Sequence, residues 1–160
     1  MAITLLRVDD RLIHGQVVEG WLPQLGVDFV AVVSDAAAAD PVQMALMKMA
    51  LPPSVGLAVL TVAAAPAALS APQAAARKIL VLVPGPGEAL ALLEGGVAID
   101  RINVGGLHFT VGKVQLGRAL FLNDEDKAAL RAIAARGVRL EGRPLPSDPE
   151  ENLASILEGR

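Results

Sequence analysis

Three short runs in this 160-residue chain are apolar with almost no alternation: DFVAVVS at 28–34, GLAVLT at 56–61 and KILVLV at 78–83. A strand with one wetted face alternates apolar and polar side chains, so a strand that does not alternate must be covered on both faces. Alanine-rich stretches separate these runs, and they supply slender helices to do the covering. Strands alternating with helices are the mark of βαβ units. The fold class is therefore α/β: a single domain over residues 1–160, with a mostly parallel open sheet flanked by helices on both faces.

The remaining elements fit that frame. Residues 3–7 read as the first strand and 15–25 as a helix stopped by Gly26. Asp40 and Pro41 give an N-cap and a first-turn proline for a helix reaching Leu51. An alanine-rich helix after 56–61 is broken at Pro66. The turn at 84–87 leads into a helix over 88–94. Residues 101–104 form a fifth strand ending at Gly105 and Gly106, and 119–122 a sixth. Asn123 and Asp126 cap a helix ending near Arg136. Residues 138–143 are a last, more polar strand at a sheet edge, and Asp148-Pro149 opens a terminal helix.

Composition narrows the function classes. Aromatic residues make up 2%, the formal net charge is -3 and no cysteine is present. Those values offer no stacking platforms and no basic stripe for nucleic acid. They also leave no thiol chemistry and no disulfide. Two histidines without cysteine argue against a metal site. The stretch between Lys48 and Arg77 lacks charge, but its four prolines interrupt any spanning helix. No secretory segment is apparent, since charges begin at Arg7, and a cytoplasmic location follows.

Chemistry is expected in the loop after the first strand, because open α/β sheets bind ligands beyond the carboxyl ends of their strands. That loop reads Arg7-Val8-Asp9-Asp10-Arg11-Leu12-Ile13-His14-Gly15-Gln16-Val17. The helix start at Gly15 and Gln16 offers backbone N–H groups and a dipole suited to an anion. Arg11 and Arg7 add permanently charged, forked donors. His14 supplies a ring nitrogen able to attack phosphorus near neutral pH. Arg7 and Asp10 are also open to a plainer reading, as a surface ion pair worth little. A second loop, Gly105-Gly106-Leu107-His108, leaves the fifth strand where His108 either faces the same cleft or is an ordinary loop residue. The segment from Gly106 to Lys113 is not a phosphate-binding loop of the nucleotide type: its glycine spacing is wrong, and Val114 replaces the Ser or Thr.

The run Arg7–Val17 resembles the active-site loop of enzyme IIB subunits in the mannose/fructose/sorbose family of the bacterial phosphotransferase system. The likeness continues through Val32-Val33-Ser34-Asp35, Ala39-Asp40, Pro52-Pro53, Glu94-Gly95-Gly96-Val97, Asn103-Val104-Gly105-Gly106, Gly112-Lys113, Asp124 to Asp126, and Gly137 to Glu141. It departs at Leu107 and Thr110, where many relatives carry Met and Arg. The resemblance implies an α/β fold and a protein-histidine–sugar phosphotransferase component. On it, His14 takes a phosphoryl group, characteristically on Nδ1, from a IIA protein. The group then passes to a sugar bound by membrane IIC and IID subunits. Arg11 would hold phosphate; Arg7, Asp9 and Asp10 would organise the loop. No cofactor is implied, since the phosphoryl group is carried covalently. The chain would associate peripherally with the membrane permease, and its edge strand permits a homodimer. The alternative is a regulatory role, in which phosphorylated His14 signals to a partner and no sugar receives the group.

Overall fold

Seven strands lie in one sheet in the order β3-β2-β4-β1-β5-β8-β9 in the computed structural model, which describes residues 2–118 and 120–159. In chain order, β1 is Ile3–Asp9, a π-helical turn Gln16–Trp21 runs straight into α1 at Leu22–Leu25, and β2 is Phe29–Val33. Helices α2 (Asp35–Ala38) and α3 (Pro41–Ala50) precede β3 (Gly56–Leu60). Helices α4 (Ala65–Ser70) and α5 (Pro72–Ala75) lead to β4 (Ile79–Val83), α6 (Pro86–Glu94) and β5 (Arg101–Gly106). A small hairpin, β6 (Val114–Leu116) with β7 (Leu120–Leu122), is followed by α7 (Asp124–Ala135). Strands β8 (Arg139–Gly142) and β9 (Glu151–Asn152) and helix α8 (Leu153–Glu158) complete the chain.

All pairings in the seven-stranded sheet are parallel except β8 with β9. The chain therefore crosses over a sheet face between paired strands, which is what buries both faces. The unalternating runs occupy β2, β3 and β4, and all five residues of β4 are buried. One core gathers Leu6, Val8, Ile102 and Leu130; the opposite one gathers Leu5, Val17, Trp21, Leu80 and Leu82. Among the described residues, no helix is long and apolar enough to cross a membrane.

Several boundaries differ from the sequence reading. Pro66 opens α4 rather than breaking a helix, because a first-turn N–H needs no partner and proline lacks only that. Residues 138–143 do not form the edge: β8 has β5 on one side and the two-residue β9 on the other. The terminal helix starts at Leu153, capped by Asn152, whereas Asp148 accepts from Leu145 N–H in a turn. Helix α2, capped by Ser34 Oγ, and strand β6 were not foreseen. Ala119, expected to begin the sixth strand, lies outside the described residues. The helix from Asn123 holds, with a reciprocal Asn123–Asp126 capping box.

Candidate functional site

Strand β1 carries two charged residues, Arg7 and Asp9, on the same face as Leu5, and both are fully buried. Burying charge costs several kcal/mol per ion unless every polar atom is matched, on the order of what a small domain has to spare. The matching is thorough. Arg7 donates from Nη2 (2.9 Å) and Nε (3.3 Å) to Asp9 Oδ2, and from Nη1 to Asn103 Oδ1 (2.7 Å) and the Arg143 carbonyl (3.4 Å). Its guanidinium also lies 5.2 Å from the centre of the Trp21 ring, a cation–π contact. Burial pushes the Arg7 pKa down, and the neighbouring Asp9 charge opposes that shift. Asp10 takes no part in this pairing, so the surface ion pair between Arg7 and Asp10 is replaced by a buried one with Asp9.

The double glycine makes room for this pair. Strand β5 pairs with β1 as Arg7↔Asn103 and Val8↔Val104, then slips so that Asp9 faces Gly106. A Cβ on Gly105 would come within 1.9 Å of Arg7 Nη1, and one on Gly106 within 3.0 Å of Asp9 Oδ1. Gly105 tolerates no side chain while Arg7 stays where it is, and at Gly106 the Asp9 carboxylate would have to give by a few tenths of an ångström.

Asp9 then reaches forward into the loop. Its Oδ1 accepts from the Arg11 N–H at 3.0 Å, and its Oδ2 lies 2.8 Å from His14 Nε2. A carboxylate already paired with arginine has only lone pairs to offer, so Nε2 bears the hydrogen and donates it. Nδ1 of His14 has no hydrogen-bond partner among the described residues. The His14 side chain is 15% exposed, enough for one ring edge to meet solvent or a partner. Between Asp9 and His14 the chain turns through Leu12 at φ 59°, the one non-glycine residue with positive φ among those described. That conformation costs on the order of 1 kcal/mol, and burial of the Leu12 side chain offsets it.

The other expected residues are distributed around this centre. Arg11 is exposed, and its Nη2 donates to Gln16 Oε1 at 3.4 Å. Gly15 has helical backbone angles, and no side chain caps that end of the helix. The N–H groups of Val17 and Val18 are both taken by the His14 carbonyl. The second loop does join the first. Asp10 accepts from the His108 backbone N–H at 2.7 Å and lies 2.6 Å from His108 Nδ1, while its own N–H donates to the Gly106 carbonyl. Consecutive aspartates thus hold one histidine each, Asp9 on Nε2 of His14 and Asp10 on Nδ1 of His108.

Four participants escaped the sequence reading: Asn103, Trp21, Leu12 and Arg143. Asn103 was the most legible, a polar residue inside an otherwise apolar strand. Arg143, whose carbonyl accepts from both Arg7 and Asn103, also ion-pairs with buried Glu141 (Nε to Oε2, 2.8 Å) without hydrogen-bond alignment. Nothing in the composition of the loop signals the left-handed turn at Leu12.

This geometry has close relatives. The PTS system sorbose subfamily IIB component family matches residues 3–160. The chain is 35% identical over 158 residues to the sorbose-specific EIIB component of Lacticaseibacillus casei, covering 99% of this chain and 96% of that one. It is 38% identical over 157 residues to the mannose-specific EIIAB component of Escherichia coli K12, covering 98% of this chain. Against that longer relative it spans only about half, 49%, of the length. The crystal structure of the IIBSor domain of the Klebsiella pneumoniae sorbose permease superposes with a TM-score of 0.94 at 33% identity, covering 99% and 98% of the two chains. The N-acetylgalactosamine-specific IIB component 1 of Escherichia coli gives 0.85 at 33% identity, covering 93% and 97%.

Proposed function

The chain belongs to the sorbose subfamily of phosphotransferase-system IIB components, and from that membership we propose that His14 accepts a phosphoryl group from a IIA protein and passes it to a sugar. The sugar is held by membrane IIC and IID subunits, and the chain works at the cytoplasmic face of that permease. One observation carries the assignment to His14: Asp9 engages Nε2 at 2.8 Å and leaves Nδ1 unpartnered among the described residues.

With the hydrogen on Nε2, the lone pair lies on Nδ1 and points away from the carboxylate. Nδ1 attacks phosphorus in line as the bond from phosphorus to the donor's nitrogen breaks, its electron pair leaving with the donor. The His14 ring gains positive charge as the N–P bond forms, because it keeps its Nε2 hydrogen. Asp9 lies against that charge, in the role an aspartate plays beside a catalytic histidine. Arg7 holds Asp9 fixed, acting through it as a positioning residue. Arg11, exposed and free to swing from its long contact with Gln16, holds the equatorial phosphoryl oxygens together with the N–H groups at Gly15 and Gln16. On discharge the sugar hydroxyl attacks phosphorus and gives its proton to a base at the sugar site or to water, as the N–P bond breaks and the ring leaves as neutral imidazole with its Nε2 hydrogen. The group rides covalently throughout, and the proposal calls on no cofactor.

The test is phosphopeptide mapping after incubation with phosphoenolpyruvate, the general phosphotransferase proteins and a IIA partner. One acid-labile phosphoryl group is expected on the His14 peptide, and His14→Ala should carry none. A folded His14→Ala protein that still labels one-to-one would overturn the assignment.

A further inference from the structure

The large apolar side chains left exposed among the described residues fall in two places. Val42, Leu46 and Met49 line one face of α3, and Phe109, Val111 and Val114 follow the second loop. The second group is fastened to the phosphoryl site. His108 grips Asp10 through both its backbone N–H and its ring, and Asp10 directly follows the carboxylate that holds His14. The segment is also anchored from below. Leu107 is buried and its carbonyl accepts from Phe121 N–H; Phe109 meets the Phe121 ring edge-on at 5.7 Å; Lys113 Nζ lies 3.6 Å from Asp126 Oδ2. Val111 is nonetheless 97% exposed and Phe109 62%.

A side chain as apolar as valine held fully in water, on a loop tied down at both ends, gives nothing to folding. On a segment fastened through His108 to the loop that bears His14, it gives a partner something to bury. We propose that residues 107–114 are the docking element for the phosphoryl donor, an A component of the mannose type, and that the Asp10–His108 pair is the positioning contact that sets this element at the correct height beside His14. The choice of donor rests on the mannose-specific relative, whose name joins an A and a B component in one chain while this chain matches 49% of its length. A donor of that kind must bring its own side chain to Nδ1, and the segment tied to Asp10 offers it the exposed Phe109 and Val111. The proposal rests on His14 being the acceptor, as argued above.

Phosphoramidate, a small chemical donor, separates docking from chemistry. Labelling of His14 is measured with phosphoramidate and with the phosphorylated A domain of the mannose-specific EIIAB of Escherichia coli. The proteins compared are wild type, Val111→Ser, the Phe109→Ser/Val111→Ser pair, and Val42→Ser as a surface control. The double variant should need about tenfold more A domain for half-maximal rate, with an unchanged maximum and unchanged labelling by phosphoramidate. Val111→Ser should show the same trend with a smaller shift, and Val42→Ser should match wild type. Equal half-saturation in wild type and the double variant would overturn the docking role. A parallel loss with both donors would overturn it too, by assigning the loop to the chemistry. Wild type labelled by phosphoramidate but not by the A domain would overturn the choice of partner. Absence of labelling by either donor would instead sink the assignment of His14 itself.

Discussion

A histidine has two ring nitrogens, and what distinguishes them in this protein is one carboxylate oxygen. Asp9 Oδ2 takes hydrogens from Arg7 and His14 together, so the His14 tautomer is set by a residue five positions earlier, itself locked by a buried arginine. An amide at this position loses the charge that faces the ring as it becomes cationic. Asp9→Asn should therefore lower the rate of His14 phosphorylation by about 10²-fold or more, measured per folded molecule in single-turnover labelling. The same substitution leaves Arg7 buried without its counter-charge, and the melting temperature should fall as well. Unchanged kinetics in Asp9→Asn would reduce the contact to packing. Arg7, Asp9, Arg11 and His14 were all legible as a cluster from the loop sequence. Their division of labour was not, because burial decides it. Two arginines four residues apart look alike on paper, yet one is enclosed beneath the sheet end and the other faces solvent.

At the level of elements, the site is a consequence of strand register. The slip between Val8 and Asp9 sets Gly106 opposite Asp9 and leaves Gly105 unpaired against the Arg7 guanidinium, and the missing side chains are the space the charges occupy. Gly105→Ala should destabilise the protein by at least about 2 kcal/mol in chemical denaturation, since its Cβ and the Arg7 guanidinium claim the same volume. At Gly15 the same change meets nothing within 4 Å and keeps helical angles, so its effect on stability should stay within about 0.5 kcal/mol. Equal costs at the two positions would contradict this account of the double glycine. The apolar runs revealed β2 and β4 because a strand covered twice cannot alternate; β3 shows the same run although, at the sheet edge, its residues are only half-buried. Strand β6 and helix α2 went unread for a related reason: each is three or four residues long, too short for any period to register. Proline at 66 misled because it marks a helix start and a helix break with equal force, and the difference lies in which N–H groups need partners.

Taken whole, the molecule is a parallel sheet with a core on each face and its chemistry at one end. Strand β1 lies at the centre, between β4 and β5, so the loop bearing His14 leaves from a strand hydrogen-bonded on both sides. The neighbouring strand contributes the second loop, and Asp10 ties the two together. The proposed carrier role calls for a histidine held in one tautomer and an apolar surface for a partner, and the Asp9 contact to His14 and the exposed Phe109 and Val111 are what this architecture offers for them. The order of the strands and the burial of the charged pair lay beyond the sequence, since both depend on which crossovers bring distant segments side by side. The central claim is that phosphorus bonds to the nitrogen Asp9 does not hold. Nitrogen-15 NMR of the histidine rings, recorded on protein labelled to completion, reads that bond directly. The phosphoryl group is predicted on Nδ1 of His14, with Nε2 still protonated and His108 unchanged. A phosphoryl group on Nε2 of His14, or on His108, would contradict the account.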